Sequence, residues 1–167
     1  MKKEKLSVLF VCLGNICRSP TAEAIFSQDV ADASLSEVIS VDSCGTGDWH
    51  IGHSPDPRAC AAGSDRGYSL ESLRARQLCS EDFYRYDYIM AMDNDNLQAL
   101  EAARPEDSDA VVALLLEQTG NEKESEVPDP YYGGSRGFDY VISLIETASQ
   151  QLLRQLKERL STVSRSA

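Results

Sequence analysis

The sequence predicts an α/β fold in which a parallel sheet carries helices on both faces. Three observations support this. Strand-like and helix-like segments alternate along the chain, the strand segments are short apolar runs, and neither a repeat nor an interdomain linker divides the 167 residues. Alternating strands and helices build a parallel sheet through right-handed crossovers, and strands covered on both faces read as near-continuous apolar runs. A single domain over 1–167 is expected, long enough to bury about two thirds of the surface its unfolded chain exposes.

The first strand is read at 6–11, LSVLFV, with β-branched and aromatic content. The lysine-rich start before it resembles a signal peptide, but Gly14, Asn15 and Arg18 interrupt the apolar part, which is read as the first core strand. From Ser19 the signals turn helical: Ser19 suits an N-cap, Pro20 the first helical position, and Ile25, Phe26 and Val30 share a face. A second strand is expected at 38–41, with a loop over 42–47. Asp56 and Pro57 open a helix that ends near Gly67. A third strand is expected at 86–92, then an amphipathic helix over 93–103 with Leu97 and Leu100 inward, stopped before Pro105. A fourth strand follows at 111–115. The polar stretch 117–137 is longer than ordinary connections, which marks it as functional or disordered. Phe138, Val141, Ile145, Leu152, Leu156 and Leu160 then recur at helical spacing and close the chain with a long helix.

Composition narrows the function. Hydrophobic residues make up 42% of the chain, enough for a core, while the longest apolar run, 110–116, is strand-sized. It falls well short of the roughly 18 residues that span a bilayer, so a soluble protein is expected. A net charge of −11 argues against general affinity for nucleic acid or for an anionic membrane. The acidity either favours targets with basic sequence or serves solubility alone. Five cysteines without a disulfide-scaffold spacing fit free thiols in a reducing, cytoplasmic setting. His50, His53 and Asp56 supply too few converging ligands for a metal site, and the proline-started helix breaks their spacing. No cofactor is implied.

The chemistry gathers in Cys12-Leu13-Gly14-Asn15-Ile16-Cys17-Arg18-Ser19, which turns between a strand end and a helix N-terminus. Backbone N–H groups and the positive end of the helix dipole make such a place bind anions, phosphate foremost. Arg18 adds a planar charged fork able to hold oxyanion oxygens, and Gly14 relieves crowding where the loop doubles back. A thiol in such a positive field titrates roughly between 3.5 and 7.5, so Cys12 is expected as a thiolate and nucleophile. In the competing reading Cys12 and Cys17 are small buried hydrophobes. Far downstream, Asp129 lies between Pro128 and Pro130, which stiffen the backbone and present its carboxyl as a proton donor for a leaving oxygen.

Cys12 through Ser19 near the N-terminus, together with Asp129-Pro130-Tyr131-Tyr132, resembles the low-molecular-weight protein tyrosine phosphatases. The resemblance implies four strands in a doubly wound, three-layer arrangement and a metal-independent phosphotyrosine hydrolase. It implies Cys12 as nucleophile, residues 13–18 as the phosphate cradle, and Asp129 as general acid and then general base. Tyrosine-phosphorylated proteins are then the partners, phosphate the product, and a monomer or weak dimer the expected state. Tyr131 and Tyr132 would wall the cleft on one side and Trp49 on the other, deepening it beyond the reach of phosphoserine. The two tyrosines are also open to being phosphorylated themselves. Ser19 would donate to the Cys12 sulfur, with Asn15 and Ser43 bracing the loop. A histidine normally joins that pair, and Leu73 stands where it would be expected. Asp93 and Arg58 match family positions and are assigned structural or electrostatic roles.

Cys17, five positions from Cys12, is either a partner for a protective reversible disulfide or a buried filler thiol. Two other functions remain open. An arsenate reductase would use the same loop and need resolving thiols, for which Cys79 lacks a close second cysteine. A non-catalytic phosphate-binding module would leave Cys12, Arg18 and Asp129 without a task.

Overall fold

The computed structural model describes residues 4–131 and 135–160. Among these residues ten elements follow one another: β1 (Leu6–Cys12), α1 (Arg18–Asp32), β2 (Ile39–Gly45), α2 (Pro57–Asp65), α3 (Asp82–Arg85), β3 (Tyr88–Ala91), α4 (Asn94–Ala103), β4 (Val111–Leu114), α5 (Leu115–Gln118) and α6 (Ser135–Arg159). The four strands form one sheet in the order β2-β1-β3-β4, with every pair parallel. The chain winds outward from β1 to β2, then crosses back to β3 and β4, so the winding reverses between β1 and β3. Crevices at such reversals, outside the carboxyl ends of the strands, are where doubly wound sheets bind ligands.

Alternation along β1 divides the core into two faces. Leu6, Val8, Phe10 and Cys12 join Ile25, Phe26 and Val30 of α1 and Val141, Ile145, Leu152 and Leu156 of α6. Leu9 and Val11 join Ile89, Ala91, Phe83 of α3 and Leu100 of α4 on the opposite side. The result is three layers. Phe10 and Phe26 meet edge to face at 5.7 Å between ring centroids, and each is almost wholly buried. Truncating either to alanine would cost about 3–5 kcal/mol.

Several boundaries differ from the sequence reading. Strand β2 runs to Gly45 rather than ending at Val41, because Asp42, Ser43, Cys44 and Gly45 all pair with β1, up to Cys12 opposite Gly45. Their polarity had suggested a loop, whereas they are the end of a strand that serves a site. Helix α1 begins at Arg18, with Cys17 at the N-cap position and no side-chain cap, so Ser19 is not the cap. Pro20 instead falls in the first turn, where its missing N–H has no intrahelical partner to lose. Asp56 does cap α2, accepting from Arg58 N–H at 2.8 Å with Pro57 in the first turn. Asp93 caps α4 in a capping box with Asn96. The short helices α3 and α5 gave no periodic signal, and α6 begins inside the stretch read as polar loop.

Candidate active site

Cys12 is the last residue of β1 and is 3% exposed, at the base of a turn that closes on the N-terminus of α1. The Ser19 hydroxyl lies 2.9 Å from its Sγ, and the Asn15 N–H donates to the same sulfur at 3.3 Å. The turn needs one left-handed residue, and it is Asn15, at φ 57°, rather than Gly14. Asn is the side chain that best tolerates this region. What Gly14 provides is room for the His50 ring, whose carbon would stand 2.9 Å from a Cβ there.

Gly45 opposite Cys12 has a stronger requirement. A Cβ on it would lie 2.7 Å from the Leu13 carbonyl oxygen and 3.1 Å from Asn15 N, both backbone atoms of the loop. Beyond Gly45 the pairing continues, with Thr46 N–H donating to Cys12 O and Gly47 N–H to Leu13 O, each at 2.9 Å. The end of β2 is thus a floor on which the loop rests.

The Asn15 side chain ties that floor together. Its Nδ2 donates to Ser19 Oγ at 2.8 Å and to Ser43 Oγ at 2.9 Å, while its Oδ1 accepts the Arg76 N–H at 3.0 Å. Arg76 is carried there because residues 76–78 run beside Gly45, with Gly45 N–H donating to Arg76 O and Leu78 N–H to Gly45 O. Ser43 in turn donates to Glu23 Oε1 at 2.7 Å. Burial is the main cause that raises the Glu23 carboxyl, to about 7.

Arg18 is buried and its two terminal nitrogens are used differently. Nη1 donates to Asp93 Oδ2 at 2.7 Å and to Val127 O at 3.0 Å, and Nη2 faces Asp129 Oδ2 at 3.6 Å. Burial opposes its charge, but Cys12, Asp93 and Asp129 outweigh it and hold the guanidinium protonated more firmly than usual. Asp93 lies two residues past the end of β3 and uses its other oxygen to cap α4, so the arginine is anchored near the neighbouring strand end. Val127 is anchored there as well, through its N–H to Met92 O at 2.7 Å.

Asp129, Tyr131 and Trp49 complete a cleft of about 380 Å³, also lined by Cys12, Leu13, Gly14, Ile16, Cys17, Arg18 and His50. Asp129 is partly exposed and accepts the Tyr131 N–H at 2.9 Å. Trp49 is 66% exposed and Tyr131 38%, so both rings are open rim. The Arg58 guanidinium lies 5.2 Å from the Tyr131 ring centre and 5.0 Å from that of Phe138, and pairs with both oxygens of Asp56. Asp56 N–H donates to Ile16 O at 2.7 Å, which joins this clasp to the loop. Tyr132 lies outside the described residues.

The structure therefore brings Cys12, Leu13, Gly14, Ile16, Cys17, Arg18, Asp129, Trp49 and Tyr131 to one cleft, while Asn15, expected in the phosphate cradle, lies behind it with Ser19 and Ser43. Cys12 and Cys17 are both free thiols, and burial first, then Asp56 and Cys12, push the Cys17 thiol far above its usual range. No group of three or more His, Cys, Asp or Glu among the described residues is placed to hold a metal ion. No helix among them is long and apolar enough to cross a membrane. Glu23, Gly45 and His50 were not found as site residues from sequence. His50 and Glu23 carry no local motif, and Gly45 gave only a turn signal.

A doubly wound sheet with a cysteine and an anion-gripping loop at its winding reversal defines a class of phosphate-handling α/β proteins. Residues 7–162 match the model of a narrower group, described as low molecular weight phosphotyrosine protein phosphatase. The Schizosaccharomyces pombe protein of that name is 45% identical over 155 residues, covering 92% of this chain and 98% of its own length. A crystal structure of a protein tyrosine phosphatase from Entamoeba histolytica is 42% identical, with a TM-score of 0.88 over 92% of this chain and 98% of that one. The crystal structure of YfkJ from Bacillus subtilis is 39% identical, with a TM-score of 0.87 over 95% and 98%. The chain belongs to the low molecular weight phosphotyrosine protein phosphatase family.

Proposed function

We propose that this protein tyrosine phosphatase hydrolyses phosphotyrosine in proteins, and small aryl phosphates, through a cysteinyl-phosphate intermediate. The observation that carries this reading is that Cys12, Arg18 and Asp129 line one cleft, with Asp129 within 3.6 Å of Arg18. A phosphoryl dianion entering the loop takes the place of Asp129 at Arg18 Nη2, which leaves the carboxyl, as the acid, near the ester oxygen. Cys12 Sγ attacks phosphorus, the P–O bond to tyrosine breaks, and Asp129 gives its proton to the departing phenolate. In the second step Asp129 takes a proton from water, the hydroxide oxygen bonds to phosphorus, and the P–S bond breaks. Ser19 donates to the returning thiolate, and inorganic phosphate leaves.

Trp49 and Tyr131 at the rim suit an aromatic leaving group held some distance above the thiol. Cys17 is proposed as a protective thiol. After peroxide converts Cys12 to its sulfenic acid, Cys17 Sγ attacks that sulfur and expels water, forming a disulfide. Turnover of phosphotyrosine against phosphoserine peptides, with and without a chelator, tests the main reading. It expects a strong preference for phosphotyrosine, no effect of chelator, and loss of turnover in Cys12→Ser. Turnover of p-nitrophenyl phosphate by Cys12→Ser would overturn it.

A further inference from the structure

We propose that Glu23 is a positioning residue for the Cys12 loop, taking the Ser43 hydroxyl proton and so fixing the direction of the hydrogen bonds that reach the Cys12 sulfur. The inference rests on the reading of Cys12 as nucleophile. Its basis is a count of hydrogens. The Asn15 amide has two to give and spends them on Ser19 Oγ and Ser43 Oγ. The Arg76 N–H on Asn15 Oδ1 prevents the amide from facing the other way. Each serine oxygen is thereby made an acceptor, and each serine keeps one hydrogen that needs a target.

For Ser19 that target is Cys12 Sγ at 2.9 Å, with Cys44 O more distant at 3.4 Å. For Ser43 it is Glu23 Oε1 at 2.7 Å. Without an acceptor at Glu23, the buried Ser43 hydroxyl has a hydrogen with no partner and competes with the arrangement Asn15 imposes. Asn15, Ser19 and Glu23 are spaced by four, so Ser19 and Glu23 share one face of α1 and the circuit Ser19, Asn15, Ser43, Glu23 closes on the helix. Leu73, where the resemblance leads one to expect a bracing histidine, has only a hydrocarbon side chain. Here the Arg76 N–H and the Glu23 carboxylate make the bonds that hold Asn15 and Ser43.

The carboxylate is half-buried. The charged groups acting on it are Asp42 of β2, which raises its pKa, and Arg76, which lowers it. With burial raising the carboxyl to about 7, it changes charge near neutrality. As pH falls through that value Glu23 gains a proton, and as an acid it can donate to Ser43 rather than accept. Stability responds with the opposite sign. The folded state holds this proton more tightly than an ordinary glutamate near 4.5, so the stabilisation is full below about 4.5 and is lost as pH rises through about 7.

The experiment follows iodoacetate inactivation of Cys12, and kcat for p-nitrophenyl phosphate, against pH. It compares the wild type with Glu23→Gln, Glu23→Ala, Ser43→Ala and the Glu23→Ala/Ser43→Ala double variant. Glu23→Ala is expected to lower kcat roughly three- to tenfold and to move the alkylation profile to higher pH. Glu23→Gln, which keeps an acceptor oxygen that does not titrate, retains at least half the wild-type kcat at pH 8 and flattens the profile around pH 7. In the Ser43→Ala background, Glu23→Ala adds less than a twofold loss. An unshifted alkylation profile in Glu23→Ala, equal losses in Gln and Ala, or additive losses with Ser43→Ala would each overturn the proposal. Should Glu23→Ala not fold, the Glu23→Gln profile decides, an unflattened one overturning it. Failure of the underlying reading shows separately, as wild-type protein whose Cys12 iodoacetate does not modify selectively.

Discussion

The two halves of the cleft are held in opposite ways. The Cys12 loop is cross-tied from behind: Asn15, Ser19 and Ser43 are buried and hydrogen-bonded to one another, and the Gly45 backbone lies directly beneath. The Asp129 segment is anchored at Val127 and rests Pro130 near Gly137 of α6, while Asp129 itself and Tyr131 stand at the surface. The difference follows from the tasks proposed for them. A nucleophile and the oxygens it attacks gain from geometry fixed before substrate arrives. A proton donor must let a bulky phosphotyrosine side chain enter beneath it, and an exposed segment permits that.

Three substitutions sharpen the contrast, in order of expected effect. Asp129→Ala should slow turnover roughly 10²- to 10⁴-fold for esters with poor leaving groups, and far less for p-nitrophenyl phosphate. Steady-state rates across a series of aryl phosphates would show it, and an equal loss throughout would remove Asp129 as the acid. Gly45→Ala attacks the other half by pushing the loop backbone from below. A displacement on the order of 1 Å costs about 10²-fold in rate, so kcat/KM should fall by that factor for every leaving group alike, with the circular dichroism spectrum retained. A loss under threefold would mean the loop yields. Arg58→Ala removes the clasp over Tyr131, and because cation–π contacts at exposed sites are weak, a roughly two- to fivefold loss is expected. That loss should be confined to poor leaving groups, since the clasp serves the acid half. A uniform loss would place Arg58 with the loop instead.

The pairs that hold the loop show where reading the chain stops. Ser19 was legible as a neighbour of the sulfur from its place in the loop, while its reading as an N-cap was wrong because the helix starts at Arg18, two residues before Pro20. Asp93 was read only as the start of a helix and as a structural or electrostatic residue; that it caps α4, and that its second oxygen anchors Arg18 across 75 positions of sequence, came from the structure. Strand β2 was read four residues short because its end is polar, and those polar residues include Ser43, which braces the site.

By itself the sequence determined the elements and the chemistry that local order can encode. An apolar run followed by a glycine-containing turn and a helix start signals a candidate anion-binding loop, and two prolines stiffen an aspartate between them. Only the tertiary structure decided what lies behind that loop. Glu23, Gly45 and Arg76 reach it from a helix face, a strand end and a connection that the crossovers of a parallel sheet bring together, and no local spacing carries such a meeting. The loop that carries Cys12 is thus written in eight consecutive residues, and its support is written in the winding of the sheet.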